Sequence, residues 1–339
     1  MHKELKKIVA SKYNLQGLKK LVSGQLPNPD YVLNKIGGRI EALNEIKYDS
    51  HVASCIQSRK SGVLSHEWEF TEGTDQSVAP GFLKDLFDRL NLPGIISEIL
   101  EAPLLGYKVL EIIWREENGY IIPVDIIGKP SEWFFFDELN ICRFRNSSNV
   151  KGEILSPRKF FVVQHNATYN NPYGEALLSK CYWPVFYKKE VVKFWATFCE
   201  KYGMPFIWAS VPFGSDTDDM MNKMEDLKQD GIVITEGDSN DNSVTLLDAS
   251  KSSSPDLYSQ FIGFFNSEIS KAILSQTLTT EIQDKGTYAA SKTHSEVRQD
   301  IIDADKRLVE NCFNKLIDWV IEYNFGNIPN IPKFRLYQE

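Results

Sequence analysis

Residues 273–301 read ILSQTLTTEIQDKGTYAASKTHSEVRQDI. The pattern changes twice within this stretch. Ile273 closes an apolar stripe running through Leu257, Phe261, Phe264 or Phe265, and Ile269, the spacing of an amphipathic helix. Ser254 and Pro255 stand at its N-cap and first helical position, and Ser275 at its end. From Gln276 to Tyr288, threonines, charged residues and Gly286 replace the stripe, which predicts a loop. Helical spacing then returns from Ala289 to Tyr323 through Val297, Ile301, Ala304, Leu308, Cys312, Leu316 and Trp319. Two helices joined by a polar loop organise the last third of the chain.

Toward the N-terminus, residues 204–254 form a small α/β insert. Ser215 or Asp216 caps a short helix closed by Gly231, and a hairpin pairs Ile232–Thr235 with Val244–Leu247. Between Asp216 and Asp256 stand eleven acidic residues against three lysines and no arginine, which accounts for the whole net charge of −8. Tyr173 to Tyr202 carries aromatic and aliphatic residues at helical spacing and predicts a long helix with Pro184 in its first half. Before it, KVLEIIW and YIIPVDII flank Glu116-Glu117-Asn118-Gly119 and predict a hairpin. Short strands follow near Trp133–Phe136, Ile141–Arg145 and Phe160–Gln164. The first hundred residues break into short helices punctuated by Pro27, Pro29, Gly37, Gly38, Pro80, Gly81 and Pro93, with a helix over Asp49–Leu64.

Composition narrows the classes. A chain of 339 residues, 42% hydrophobic, buries at least one substantial core. No apolar run is long enough for a membrane span, and MHKELKKIVASKYN lacks the apolar centre of a secretory signal. This predicts a soluble, unexported protein with its five cysteines reduced and buried. Net negative charge argues against a broad grip on nucleic acid, because phosphate affinity comes from Lys and Arg.

Motifs for chemistry are missing. There is no G-x-x-x-x-G-K-[ST] loop for nucleotide phosphates, no H-E-x-x-H and no G-x-S-x-G. Asp216, Asp218 and Asp219 form an acidic cluster, and Asp238, Asn240 and Asn242 copy half of an EF-hand loop. Ser243 and Ala249 stand where that loop needs Gly and Glu, so a solvated turn is expected. No metal and no cofactor is expected. A compact acidic segment between two long helices predicts a docking surface.

Four stretches together resemble the Mu-like tailed-bacteriophage portal protein family. They are DSHVASCIQSRKSGVLSHEWEF (49–70), GYKVLEIIW with PSEWFFFD (106–137), NPYGEALLSKCYWPVFYKKEVVKFWATFCEKYGMP (171–205) and the quoted 273–301. Q-T-L-T-T, G-T-Y-A-A-S-K and E-V-R-x-D-I are the most specific elements. The resemblance implies an α+β portal-type subunit with a mixed wing domain (1–172), a first stem helix (173–203), an acidic clip (204–254), a second stem helix (255–275), a tunnel loop (276–288), and a long wing helix with a short tail (289–339). The family's chain usually continues beyond the point equivalent to Phe334, so the crown is expected to be absent or shortened.

The implied function is a channel at the capsid vertex for packaging and ejecting double-stranded DNA, with no catalysis. Thr279, Thr280, Lys285, Gly286 and Tyr288 would then face DNA without sequence specificity, and Asp216, Asp218, Asp219, Glu225, Asp226, Asp238 and Asp241 would form the partner-docking face of the clip. Implied partners are other copies in a ring, a dodecamer in this family, together with the large terminase, a head-tail adaptor and the major capsid protein, with no membrane. The implied location is the virion, and host cytoplasm during assembly. Two other readings are a monomeric adaptor, and a metal-dependent nucleic-acid enzyme built on Asp216, Asp218 and Asp219.

Overall fold

The computed structural model describes residues 25–38, 40–71, 79–146, 149–202, 206–212, 216–218, 221–222, 232–237, 243–247, 254–277, 288–326 and 331–337. The chain divides into two compact units, Met1–Tyr182 with Glu268–Glu339, and Trp183–Ser267.

In the first unit, short helices precede the sheets: α1 (Tyr31–Lys35), α2 (Glu41–Ile46) and α3 (Ser50–Leu64), then β1 (Glu67–Phe70), α4 (Ala79–Arg89), α5 (Leu92–Ile99) and α6 (Glu101–Leu105). Side chains cap several of them. The Asp30 carboxylate accepts from Leu33 N, Asp49 accepts from His51 N and Val52 N, and Asn91 accepts from Gly94 N just ahead of Pro93.

The predicted hairpin is present as β2 (Tyr107–Glu117) and β3 (Tyr120–Lys129). Asn118 and Gly119 have φ of 53° and 79°, the paired left-handed conformations of a type I′ turn. The register shifts between Ile113, opposite Asp125, and Trp114, opposite Pro123, the irregularity at which a strand accommodates proline. β7 (Phe160–Gln164) pairs with the other edge of β2, and a second sheet follows the order β4 (Phe134–Phe136), β5 (Cys142–Asn146), β6 (Asn149–Ile154).

Helix α7 spans Leu177–Tyr202, starting four residues after the predicted Tyr173. Gly174 (φ 74°) turns the chain there, and the Tyr173 hydroxyl is committed to Leu26 O and Phe136 N. The other long helices are α8 (Ser254–Leu274), ended by Ser275 at φ 54°, and α9 (Tyr288–Asn324). The chain closes with β11 (Phe334–Tyr337), antiparallel to β1. β1, β6 and β11 were not foreseen from the sequence, since strands of four to six residues carry too little periodicity.

The core lies between α9, the β3-β2-β7 sheet and α4–α5. Its centre is aromatic: the Phe313 ring is 4.7 Å from Phe334 and 5.6 Å from Phe87. The buried stripe of α9 is Ile302, Asp305, Val309, Cys312, Phe313, Leu316, Ile317, Val320 and Ile321. It shares Cys312 and Leu316 with the expected face and keeps Leu308 and Trp319 packed at the core's edge, but leaves Ala304 exposed and brings in a carboxylate. Four cysteines are buried and unbridged as expected, but Cys199 on α7 is exposed.

In the second unit, β8 (Phe206–Pro212), β9 (Ile232–Gly237) and β10 (Ser243–Leu247) form a sheet in the order β10-β8-β9. The expected hairpin of β9 with β10 is therefore wrong. Both pair with β8, β9 parallel and β10 antiparallel. β8 is the longest of the three and presents both edges, and residues 213–231 are long enough for the crossover that a parallel pair requires.

Candidate functional site

Within the second unit, α7 and α8 run antiparallel, as their cross-pairs require. Tyr187 stacks on Phe265 at 6.2 Å and Trp195 on Tyr258 at 6.2 Å, while Lys188 Nζ donates to Asn266 Oδ1 at 2.9 Å. Lys188 is buried between the helices, with Asn266 among its acceptors. Away from that seam α7 carries Trp183, Phe186 and Phe194, all exposed, and Tyr187 at the seam's edge keeps half of its surface exposed as well. Leu257, Phe261 and Phe264 repeat this on α8. Phe194 is 63% and Phe264 56% exposed, values far above those of rings meant for a core.

A second constellation lies in the first unit, where α3 meets the end of α8 and the middle of α9. Arg59 donates from Nε to Asp305 Oδ2 (2.7 Å), from Nη2 to Asp305 Oδ1 (2.9 Å) and from Nη1 to the Ile273 carbonyl (2.8 Å). The Asp305 side chain is only 3% exposed, and a carboxylate so placed demands a cation with good geometry. Three residues further on, Gly62 faces Ile302; a Cβ there would lie 2.7 Å from Ile302 Cδ1, so glycine permits the close crossing of α3 and α9. His51 Nε2 shares a hydrogen bond with Ser270 Oγ (2.8 Å), on the last turns of α8.

On its other side α3 is tied to α5 and α6. Lys60 Nζ donates to Ser97 O, Ser97 Oγ and Glu101 Oε1, and Lys47 pairs with Glu101 Oε2. Burial by itself would raise the Glu101 carboxyl, but the two ammonium groups outweigh it and hold it below the ordinary range. α3 is thus a brace with polar contacts along its length.

Of the residues singled out from the sequence, Asp216 and Asp218 are exposed, and the Asp216 carboxylate accepts from Asp218 N at 3.1 Å. Tyr288 opens α9. Thr279, Thr280, Lys285, Gly286, Asp219, Glu225, Asp226, Asp238 and Asp241 lie outside the described residues. Among the described residues no three His, Cys, Asp or Glu side chains are grouped as metal ligands. Sequence reasoning missed the Arg59–Asp305 pair. The signal was available: Asp305 sits between Ile302 and Val309 at the spacing of a buried stripe, where an acid needs a partner.

An α+β body interrupted by an excursion of helix, small mixed sheet and helix is the chain organisation of a portal-type subunit. Residues 40–339 match the family described as the portal protein of Mu bacteriophage, and the chain belongs to that family. It is 28% identical over 280 residues to the portal protein of Escherichia phage Mu, covering 79% of this chain and 53% of that protein. It is 24% identical over 306 residues to the Mu-like prophage FluMu protein gp29 of Haemophilus influenzae, covering 84% of this chain and 57% of that protein. The chain therefore spans about half the length of these relatives. In fold it is similar to a chain from the neck of an empty gene transfer agent particle, computed with C6 symmetry, with a TM-score of 0.65, 10% identity, and coverage of 96% of this chain and 87% of that one.

Proposed function

We propose that this chain is the ring-forming portal subunit of a tailed phage, a structural channel without catalysis through which double-stranded DNA is packaged and ejected. The observation that carries this reading is the outward aromatic face of α7 and α8. Seven large apolar side chains stand on it, Trp183, Phe186, Tyr187, Phe194, Leu257, Phe261 and Phe264. Full burial of such a side chain is worth about 1.5–3 kcal/mol, so covering seven half-exposed ones contributes on the order of 5–10 kcal/mol per copy. A neighbouring copy is the natural cover, because ring contacts are heterologous and close by rotation.

On this reading residues 1–172 are the wing, α7 and α8 the stem, 204–254 the clip and 276–288 the tunnel loop, with Thr279, Thr280, Lys285, Gly286 and Tyr288 toward DNA. A duplex must slide, so these contacts are steric and weakly polar. The acidic clip, with Asp216, Asp218, Asp219, Glu225, Asp226, Asp238 and Asp241, docks the large terminase and then a head-tail adaptor through basic patches on each. The wing meets the major capsid protein. Assembly takes place in the host cytoplasm, and the finished ring, a dodecamer, sits at the capsid vertex of the virion.

The test is the solution mass of the purified chain by light scattering, with negative-stain images, alongside the variant Phe194→Ser/Phe261→Ser. A ring with a central hole, lost or weakened in the variant while its circular dichroism is unchanged, is expected. A monomer at every concentration would replace this reading with the adaptor one.

A further inference from the structure

We infer that Arg59 is the positioning residue that sets how α8 ends and α9 begins its buried course, and so governs the spacing at which the chain leaves one helix and enters the other. The inference rests on the portal reading, in which the connecting segment meets DNA, and adds a residue of the wing to what controls DNA passage.

α8 ends at Leu274, one residue beyond the Ile273 carbonyl, and α9 starts at Tyr288 and reaches Asp305 after about five turns. One guanidinium holds both sides: Nη1 takes the Ile273 carbonyl, and Nε with Nη2 takes both oxygens of Asp305. The Ile273 carbonyl is one of the last four of α8, which have no partner inside the helix. A planar fork fixes distance and angle together, which a lysine at the same place cannot do.

Gly62 and Ile302 set the approach of α3 to α9 one turn away, while His51 and Ser270 set α3 against α8. Arg59 is the one residue among these whose own atoms bond to both helices. Stability alone would be served by an apolar pair of similar volume, since replacing a buried ion pair in that way is often neutral or favourable. The pair leaves the Ile273 carbonyl without its donor, which separates holding the fold from setting the geometry.

The experiment compares particles assembled with the parent full chain, with Arg59→Met/Asp305→Leu, with Arg59→Lys, and with Lys285→Glu as a probe of the connecting segment. Ring mass, thermal midpoint and the ratio of DNA-filled to empty particles are measured for each. The Met/Leu pair is expected to form rings and melt near the parent yet lose filled particles. Arg59→Lys, which keeps the cation but not the fork, is expected to lose fewer, at unchanged ring mass. Filled particles at the parent ratio in the Met/Leu rings overturn the inference. So does a parent ratio in Arg59→Lys rings if the Met/Leu pair does not assemble. Lys285→Glu rings that fill normally, whatever the Arg59 variants do, overturn the portal-loop reading and the inference with it.

Discussion

Gly174 and Gly119 share nearly the same left-handed backbone, with φ of 74° and 79°, but differ completely in surroundings. A Cβ on Gly119 meets nothing within 4 Å, so Gly119→Ala carries only the conformational penalty, about 1 kcal/mol. A Cβ on Gly174 comes closer than 3.0 Å to the carbonyl oxygens of both Gly106 and His165, which are backbone atoms unable to rotate away. Those oxygens accept from His165 N and Glu175 N, each at 2.8 Å. Gly106 is itself left-handed at φ 89° and would place a Cβ 2.6 Å from Tyr173 O, so neither side of the crossing can yield. Gly174→Ala therefore adds the loss or stretching of two backbone hydrogen bonds, about 1 kcal/mol each, and a shift of the turn before α7, for a total of about 3–5 kcal/mol. Urea unfolding of both variants and the parent at one protein concentration, followed by circular dichroism, measures the difference. Equal midpoints for the two variants would refute the interlocked crossing, because the shared φ would then explain everything.

Arg59→Met leaves Asp305 buried without its cation and should cost about 3–5 kcal/mol, most of it recovered in Arg59→Met/Asp305→Leu; unfolding midpoints of the two variants check this. Burial pushes the thiols of Cys142, Cys181 and Cys312 up to about 12, with neighbouring charges as lesser contributions. In native protein at pH 8 a thiol reagent should therefore label exposed Cys199 and spare these three until denaturant is added, as peptide mass mapping would show. The Glu101 carboxyl is held below its ordinary 4.5, so its contribution to stability is present above that pH and is lost as pH falls through the lower folded value. Glu101→Gln should lower stability at neutral pH and flatten the acid limb of the stability–pH curve.

Much of this architecture was legible in the amino-acid sequence because it rests on local rules. Asn118-Gly119 between alternating apolar runs specifies a tight hairpin. The apolar stripes of α8 and α9 mark helices by periodicity. Family membership was carried by Q-T-L-T-T and G-T-Y-A-A-S-K, whose specificity lies in residue identity and not in propensity. The apolar stripe of α8 through Leu257, Phe261 and Phe264 was also visible as spacing, but spacing does not say which face of a helix is covered, and these three are exposed.

What tertiary structure decided are the matters that depend on distant chain. β9 and β10 each satisfy their backbone groups on β8, although a five-residue link between them would have allowed a hairpin. β1 finds its partner β11 some 270 residues away, and no window of sequence contains both. The place of Asp305 on the buried face of α9 goes with Arg59. A buried carboxylate needs a partner, and here the pairing of two charges 246 positions apart admits to the core a position that the spacing of apolar residues passes over.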